Sequence, residues 1–270
     1  MSSRSFHDFE QAGWESVALE YEQAFGSLTI QSIGPLLDAA GVGAKTRVLD
    51  VGSGPGYVAA AALGRGAQVT GIDFSGAMIA LARQRNPDID FRRGDAEALP
   101  FPDKRFDAVV MNFSLLHLER PEQALREAHR VLKPGGRCGF TVWAGPDETL
   151  GFQIVLNAVE AHGNPNVPLP PGSPFFRFSD PEECERVLLE AGFSAPEVAK
   201  APQTWRLSSP DALFEIMKEA TVRTRGLLRG QSGQALDAIR MAVGEAAKAY
   251  ERDGAVQLPM PAVLASALRP

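Results

Sequence analysis

Three alternate glycines lie in Val48-Leu49-Asp50-Val51-Gly52-Ser53-Gly54-Pro55-Gly56, directly after a short apolar run and directly before the helix-forming stretch Tyr57–Leu63. Such a turn lets the backbone pass close beneath a ligand, because a Cβ at 52, 54 or 56 would take up the ligand's space; a nucleotide-like molecule suits it. Further carboxylates follow at matching places. Asp73 ends the next apolar run, Gln68–Asp73, where it can accept from both hydroxyls of a ribose. Asp95, within Gly94–Phe101, can accept from an adenine amino group. Asn112 and Phe113 end a fourth run, and His117 comes just after it. Among the four histidines, His117 is best placed to take a proton, with His7 and His162 in peripheral segments and His129 inside a helix.

Each of these residues also has a plain structural use. A glycine turn can serve geometry alone, Asp73 can favour the start of the helix that Ser75 caps, and His117 can pack at a strand mouth or touch the ligand without moving a proton. The dinucleotide fingerprint would need glycine at 57, and Tyr57 stands there, which counts against a nicotinamide cofactor.

The elements that must hold these residues alternate. Thr46–Val51, Gln68–Asp73, Ile89–Arg92, Phe106–Phe113 and Arg137–Trp143 read as buried strands of a mostly parallel sheet. Helices are expected over Gly76–Arg85 and from Pro121, whose buried face Ala124, Leu125, Ala128, Val131 and Leu132 stops at Lys133-Pro134-Gly135-Gly136. Residues 1–44 carry two helical patterns. One has the stripe Trp14, Val17, Ala18, Tyr21 and Phe25, which is either core at the domain edge or the wall through which Trp14 or Tyr21 faces a cationic ligand. From Gly145 to Ser179 the prolines predict a loop near the mouth with no long regular element. A helix follows Asp180, Pro196–Leu207 makes a sixth strand, Ser209–Gly254 is helical, and Val256 to about Leu268 makes a seventh strand.

Length and composition suit one soluble domain of 270 residues, 44% apolar and 22% charged. The net charge of −6 and scattered basic residues exclude a nucleic-acid footprint and favour small or neutral partners. No apolar run approaches the ~18 residues of a membrane span. The charged opening segment does not look like a signal peptide, and Cys138 and Cys184 have no metal spacing; both read as buried thiols of a cytoplasmic protein, with no metal site.

The glycine turn, Asp73, Gly94–Phe101, Phe106–His117 and His129-Arg130-Val131-Leu132-Lys133-Pro134-Gly135-Gly136 resemble, in order and spacing, class I S-adenosylmethionine-dependent methyltransferases. The subgroup is that of the ubiquinone/menaquinone C-methyltransferases and many small-molecule methyltransferases, and the resemblance is strong over about 40–145. It implies an α/β, Rossmann-like seven-stranded sheet of order 3-2-1-4-5-7-6, strand 7 antiparallel and helices on both faces, in agreement with the alternation above. The family pattern assigns the cofactor's methionine part to Gly52, Ser53, Gly54 and Gly56, with Asp50 also counted among the cofactor-binding residues. It gives the ribose to Asp73, the adenine face to Phe74 and Met78, and the adenine edge to Asp95 and Ala96. Asn112 and Phe113 would lie near the amino acid and sulfonium, and Tyr21 is the aromatic candidate on the helix before the sheet. Relatives often have paired histidines where this chain has Leu116-His117. An Asn/Asp-Pro-Pro-Tyr-type motif is lacking at Asn112-Phe113-Ser114-Leu115, which disfavours N-methylation of DNA adenine or glutamine.

The expected activity is methyl transfer from S-adenosylmethionine to a small-molecule acceptor by in-line displacement, chiefly through proximity and orientation, leaving S-adenosylhomocysteine. A catalytically silent cofactor-binding partner or sensor is the alternative, and a nicotinamide oxidoreductase a remote one. One domain is expected over 1–270: N-terminal helices in 1–44, core sheet in 45–207 and 255–270, and a helical insert in 208–254. Insert and proline-rich loop 163–174 are expected to shape the acceptor pocket through stripes such as Phe214 and Met217, unless the insert instead forms a homodimer interface.

Overall fold

The structure, a computed structural model, describes residues 5–270. The first four residues of the N-terminal segment predicted as helical lie outside the described ones. In chain order the elements are α1 Phe6–Thr29, α2 Ile33–Ala39, β1 Arg47–Val51, α3 Tyr57–Gly64, β2 Gln68–Asp73, α4 Gly76–Arg85, β3 Asp90–Arg93, β4 Phe106–Asn112, α5 Pro121–Val131 and β5 Leu132–Trp143. There follow α6 Leu150–His162, α7 Pro181–Glu190, β6 Ser194–Ala201, β7 Thr204–Leu207, α8 Pro210–Glu219, α9 Arg223–Arg229, α10 Gly233–Lys248, β8 Glu251–Arg252, β9 Ala255–Pro259 and β10 Ala262–Leu268.

The main sheet has the order β3-β2-β1-β4-β5-β10-β6, with β10 antiparallel to both neighbours, as the family resemblance implies. Alternate residues feed two cores. Val48, Ala108 and Val110 pack with Leu36 and Leu37 on one face, while Leu49, Val51, Val109 and Met111 enter the larger core on the other. This two-sided burial explains the unbroken apolar runs, each fully buried side chain contributing ~1.5–3 kcal/mol. Ser75 caps α4 by accepting from the Met78 amide at 3.2 Å. Among the described residues no helix is long and apolar enough to cross a membrane.

Four boundaries differ from the sequence expectation. The sixth and seventh strands each break in two, and β7 and β9 leave the main sheet to pair in a small sheet of order β7-β9-β8. The breaks fall beside Pro202 and Pro261, which cannot donate to a ladder, and the Met260 amide donates to the Gln203 carbonyl at 2.9 Å, so both strands turn off together. The segment 145–179 is not all loop, because no proline falls between Pro146 and Pro165, and Leu150–His162 forms α6 there with Phe152, Val155 and Val159 buried. The Lys-Pro-Gly-Gly stretch lies inside β5 rather than between helix and strand, where the β4–β5 register shifts and Gly135 takes φ +79°. The insert is three helices, α8 to α10, with Leu213, Phe214, Met217, Ile239, Val243 and Ala247 turned into the core.

α1 runs over the C-terminal edge of the sheet. Its Trp14, Val17 and Ala18 pack between Met78 of α4 and Val222 at the α8–α9 corner, and a Cβ on Gly13 would come within 2.4 Å of the Val222 side chain. One helix thus bridges both sides of the crevice described next.

Candidate active site

The strand order reverses beside β1, and at such a point the loops leaving β1, β2 and β4 diverge and open a crevice. This crevice encloses about 650 Å³, part of it open to solvent. The structure brings Tyr21, Gly52, Gly54, Asp73, Phe74, Met78, Asp95, Ala96, Asn112, Phe113 and His117 together on its walls, joined by Trp14, Ile72, Gly94, Ser114 and Leu118. Asp50, Ser53 and Gly56 do not line it.

The three glycines have three different reasons. A Cβ on Gly52 would lie 2.3 Å from Cβ of Ser114, and one on Gly56 would lie 2.7 Å from the Phe91 ring, so packing within the protein excludes side chains there. Gly54 alone would direct its Cβ into open space, while its φ of +49° still disfavours other residues. The expectation that all three clear space for a ligand is corrected to Gly54.

Asp73 ties the turn to β2. Its Oδ2 accepts from the Gly54 amide and its Oδ1 from the Ser75 amide, each at 2.9 Å. Burial nevertheless pushes the carboxyl up to about 6, outweighing those two hydrogen bonds. Asp50 lies beneath the turn and anchors the start of α3 by accepting from the Ala59 amide at 3.1 Å. Its other oxygen has no partner, and burial pushes it up to about 7, with Asp73 adding to the rise. Ser53 Oγ is likewise buried without a partner.

Asn112 faces the crevice, but its amide is engaged. It donates to the Thr29 carbonyl and accepts from Ser32 and Thr141, so it fastens the end of α1 to β4 and β5. Phe113 takes φ +55° and stacks on Trp143 at 4.1 Å; a left-handed non-glycine residue costs ~1–3 kcal/mol, held here by the surrounding packing. His7, expected to be peripheral, sits on the rim: its ring meets Phe74 edge-on at 5.8 Å and its Nδ1 is 4.0 Å from Asp95.

Beyond the partition of Trp14, Tyr21, Phe113 and His117 lies a second chamber of about 410 Å³. Phe25, Trp143, Phe152 and Phe175 complete its aromatic lining, and residues 220–224 at the α8–α9 corner close it. The insert therefore reaches this chamber through its corner, whereas Phe214 and Met217, expected on the wall, are core residues 2% and 0% exposed. Burial pushes the Tyr21 phenol on the partition up to about 12.

Behind His117 stands a residue that sequence reasoning missed. Glu10, fully buried, has its Oε2 3.0 Å from His117 Nδ1 and 3.0 Å from Trp14 Nε1, and its Oε1 accepts from Arg223 Nε at 2.9 Å. Burial by itself would raise this carboxyl, but His117 and Arg223 hold it below its usual range. Arg223 also donates to the carbonyls of Ser173 and Leu116, joining α1, the proline-rich loop, the β4 mouth and the insert. The only local signal was the i, i+4 spacing of Glu10 and Trp14; Arg223, more than two hundred residues away, gave none.

Residues 49–140 match the family described as "Methyltransferase domain". A demethylmenaquinone methyltransferase of Renibacterium salmoninarum is 39% identical over 133 residues, which is 48% of this chain and 56% of the relative. A ubiquinone/menaquinone biosynthesis C-methyltransferase of Methylobacterium nodulans is 48% identical over 99 residues, 34% of this chain and 39% of the relative. The chain spans about half the length of the curated relatives it matches. In fold it is similar to the YcgJ protein of Bacillus subtilis, 22% identical with a TM-score of 0.55 over 88% of this chain and 97% of that one. It is also similar to phosphoethanolamine N-methyltransferase 2 of Haemonchus contortus, solved with S-adenosyl-L-methionine, 23% identical with a TM-score of 0.61 over 100% of this chain and 61% of that one. With this match lying across the glycine turn, the strand-end carboxylates and the reversal of strand order, the chain carries a methyltransferase domain over residues 49–140.

Proposed function

We propose that this chain transfers a methyl group from S-adenosylmethionine to a small aromatic acceptor. The observation that carries this is the partition: Trp14, Tyr21, Phe113 and His117 line both the polar crevice and the aromatic chamber, so a cofactor in one meets an acceptor in the other.

The residues present fit the cofactor. Gly54 offers open backbone, and each Asp73 oxygen keeps a lone pair for a ribose hydroxyl beside the amide it already holds. Phe74 and Met78 supply an apolar face for adenine, Asp95 and Ala96 its edge, and Trp14 and Tyr21 supply π-faces suited to a cation. When bound, the cofactor brings an electrophilic methyl on a sulfonium whose charge disperses on transfer. The protein's share is to orient the two partners and exclude water, which needs no nucleophilic side chain.

Seven aromatic side chains around the second chamber favour a flat ring. The relatives' names, which mention demethylmenaquinone and ubiquinone/menaquinone, support a quinone-type ring in that place, for which a hydroquinone is the reduced form that can give up a proton. The 220–224 corner and Phe175 would then shape the acceptor pocket, the insert acting as its wall. The test is titration calorimetry with S-adenosylhomocysteine, then transfer from methyl-labelled cofactor to 1,4-naphthohydroquinone. Saturable binding and a methylated ring are expected, and NAD should not raise the melting temperature. Stabilisation by NAD and none by adenosyl compounds would overturn the reading, and binding without transfer to any ring acceptor would leave the silent binder in its place.

A further inference from the structure

We infer that Glu10 is a positioning residue that fixes His117 with its proton on Nδ1, so that Nε2 faces the acceptor chamber as the base for an acceptor hydroxyl. The inference rests on the proposed function and narrows its substrate class to acceptors that carry an O–H on the ring, such as phenols and hydroquinones.

The geometry determines the tautomer. Glu10 is fully buried, and its two oxygens take Arg223 Nε at 2.9 Å and Trp14 Nε1 at 3.0 Å, both obligatory donors. A carboxylate so placed is an acceptor only, so the His117 nitrogen 3.0 Å from its Oε2 must be the one bearing hydrogen. In the neutral ring, Nε2 then keeps its lone pair. Trp14 and Phe175 meet the imidazole edge-on at 4.8 and 6.3 Å and limit its rotation. His117 lines both chambers, and with Nδ1 held by Glu10 the free nitrogen is the ring's one remaining polar atom for a ligand there.

The proton and electron balance is complete within the proposed reaction. The acceptor's O–H proton passes to Nε2, and His117 becomes an imidazolium stabilised by the Glu10 carboxylate. The electron pair released into the acceptor forms the new bond to the methyl carbon, whose bond to sulfur breaks with its pair left on sulfur. Where that bond is made to ring carbon, the hydrogen on that carbon then leaves as a proton while the oxygen regains one, which restores the aromatic ring. Arg223 already balances the Glu10 charge before the proton arrives, so the buried carboxylate is not left uncompensated when the ring is neutral. Of the other ionisable groups, Tyr21 on α1, Asp73 at the end of β2 and Asp95 on the loop after β3 line the same crevice as the ring.

The test is nitrogen-15 correlation spectroscopy of histidine-labelled protein at a pH where the imidazole is neutral, with His117 assigned by loss of its signals in His117→Gln. A ring protonated at Nδ1 is expected; one protonated at Nε2 overturns the inference, and this reading needs neither cofactor nor turnover. In Glu10→Gln the amide can donate to Nδ1, so the signals should shift towards the Nε2-protonated form while the backbone spectrum stays native. With 1,4-naphthohydroquinone as acceptor, His117→Gln should lower kcat about a hundredfold or more while KM for the cofactor changes little, in line with the loss of a general base. Unchanged kcat in that variant, with S-adenosylhomocysteine still bound, overturns the base and leaves the methyltransferase reading standing. Loss of homocysteine-compound binding by the native chain would instead sink the proposed function itself.

Discussion

The Gly54 amide donates to Asp73 Oδ2 at 2.9 Å, so the glycine turn after β1 and the carboxylate ending β2 form one unit. Whatever binds the turn also meets the carboxylate. Asp73→Ala should weaken S-adenosylhomocysteine binding by ~1–3 kcal/mol, since it leaves hydroxyls and the Gly54 amide without an acceptor in a mostly desolvated place. Calorimetry checks this, and affinity equal to the native chain would mean that the ribose lies elsewhere. Only the ionised carboxylate accepts at both oxygens, and Asp73 is pushed up to about 6. Affinity should therefore be full above that value and fall as pH drops through it, a dependence that Asp73→Asn removes.

Gly52→Ala and Gly54→Ala should fail differently. At 52 the new methyl meets Ser114 at 2.3 Å on a backbone of φ +68°, which should cost folding ~1–3 kcal/mol from overpacking alone. At 54 there is space, so the loss should appear mainly in cofactor affinity. Adding Ser114→Gly should recover part of the stability of Gly52→Ala and none of the affinity lost in Gly54→Ala. Denaturant melts beside calorimetry separate the two, and equal stability of the two single variants would refute the assignment.

Asp50 makes a prediction of opposite sign to the usual acid-denaturation behaviour. Its folded value, about 7, lies above the ordinary 3.8, so the folded chain binds this proton more tightly than the unfolded one. The group's contribution is then most favourable below the unfolded value and is lost as pH rises from about 4 to about 7. Asp50→Asn, which keeps an acceptor for the Ala59 amide, should raise stability at neutral pH by an amount on the order of a few kcal/mol and flatten that part of the pH profile. A variant less stable than the native chain across the whole range would show that the carboxylate is needed ionised.

What the sequence made legible was mostly local. The alternation of strands and helices, the Ser75 cap and the strand-end carboxylates follow from residues near one another in the chain, while the strand order and the rest of the crevice wall from Gly52 to Phe113 were implied by the family resemblance. What stayed hidden depended on distant partners. Glu10 reads as one more charge on a helix until His117 and Arg223 arrive beside it, and Gly56 reads as ligand space until Phe91 packs there. The strand breaks at Pro202 and Pro261 were visible as prolines, but only the pairing of β7 with β9 shows that the chain leaves the sheet there. Helix α6 was hidden because the proline cluster from 165 to 174 dominates the segment and masks the proline-free stretch after Pro146, whose apolar spacing is helical.

The acceptor side gives a test that separates wall from core. Phe175 and Val222 line the aromatic chamber, whereas Phe214 and Met217 of α8 are buried behind it. Phe175→Ala removes a ring that stacks edge-on with Phe152 at 5.2 Å and leaves the cofactor crevice untouched, so KM for 1,4-naphthohydroquinone should rise several-fold at unchanged cofactor affinity. Phe214→Ala and Met217→Ala should instead cost stability, ~3–5 and ~2–5 kcal/mol by the usual range for emptied core sites, with acceptor KM little changed wherever the protein remains folded. Val222→Ala is the intermediate case, since Val222 both lines the chamber and packs on Gly13 and Trp14 of α1. It should raise acceptor KM and lower the melting temperature together. If Phe175→Ala leaves KM alone while Phe214→Ala raises it, the acceptor enters from the α8 face and the aromatic chamber is not its pocket.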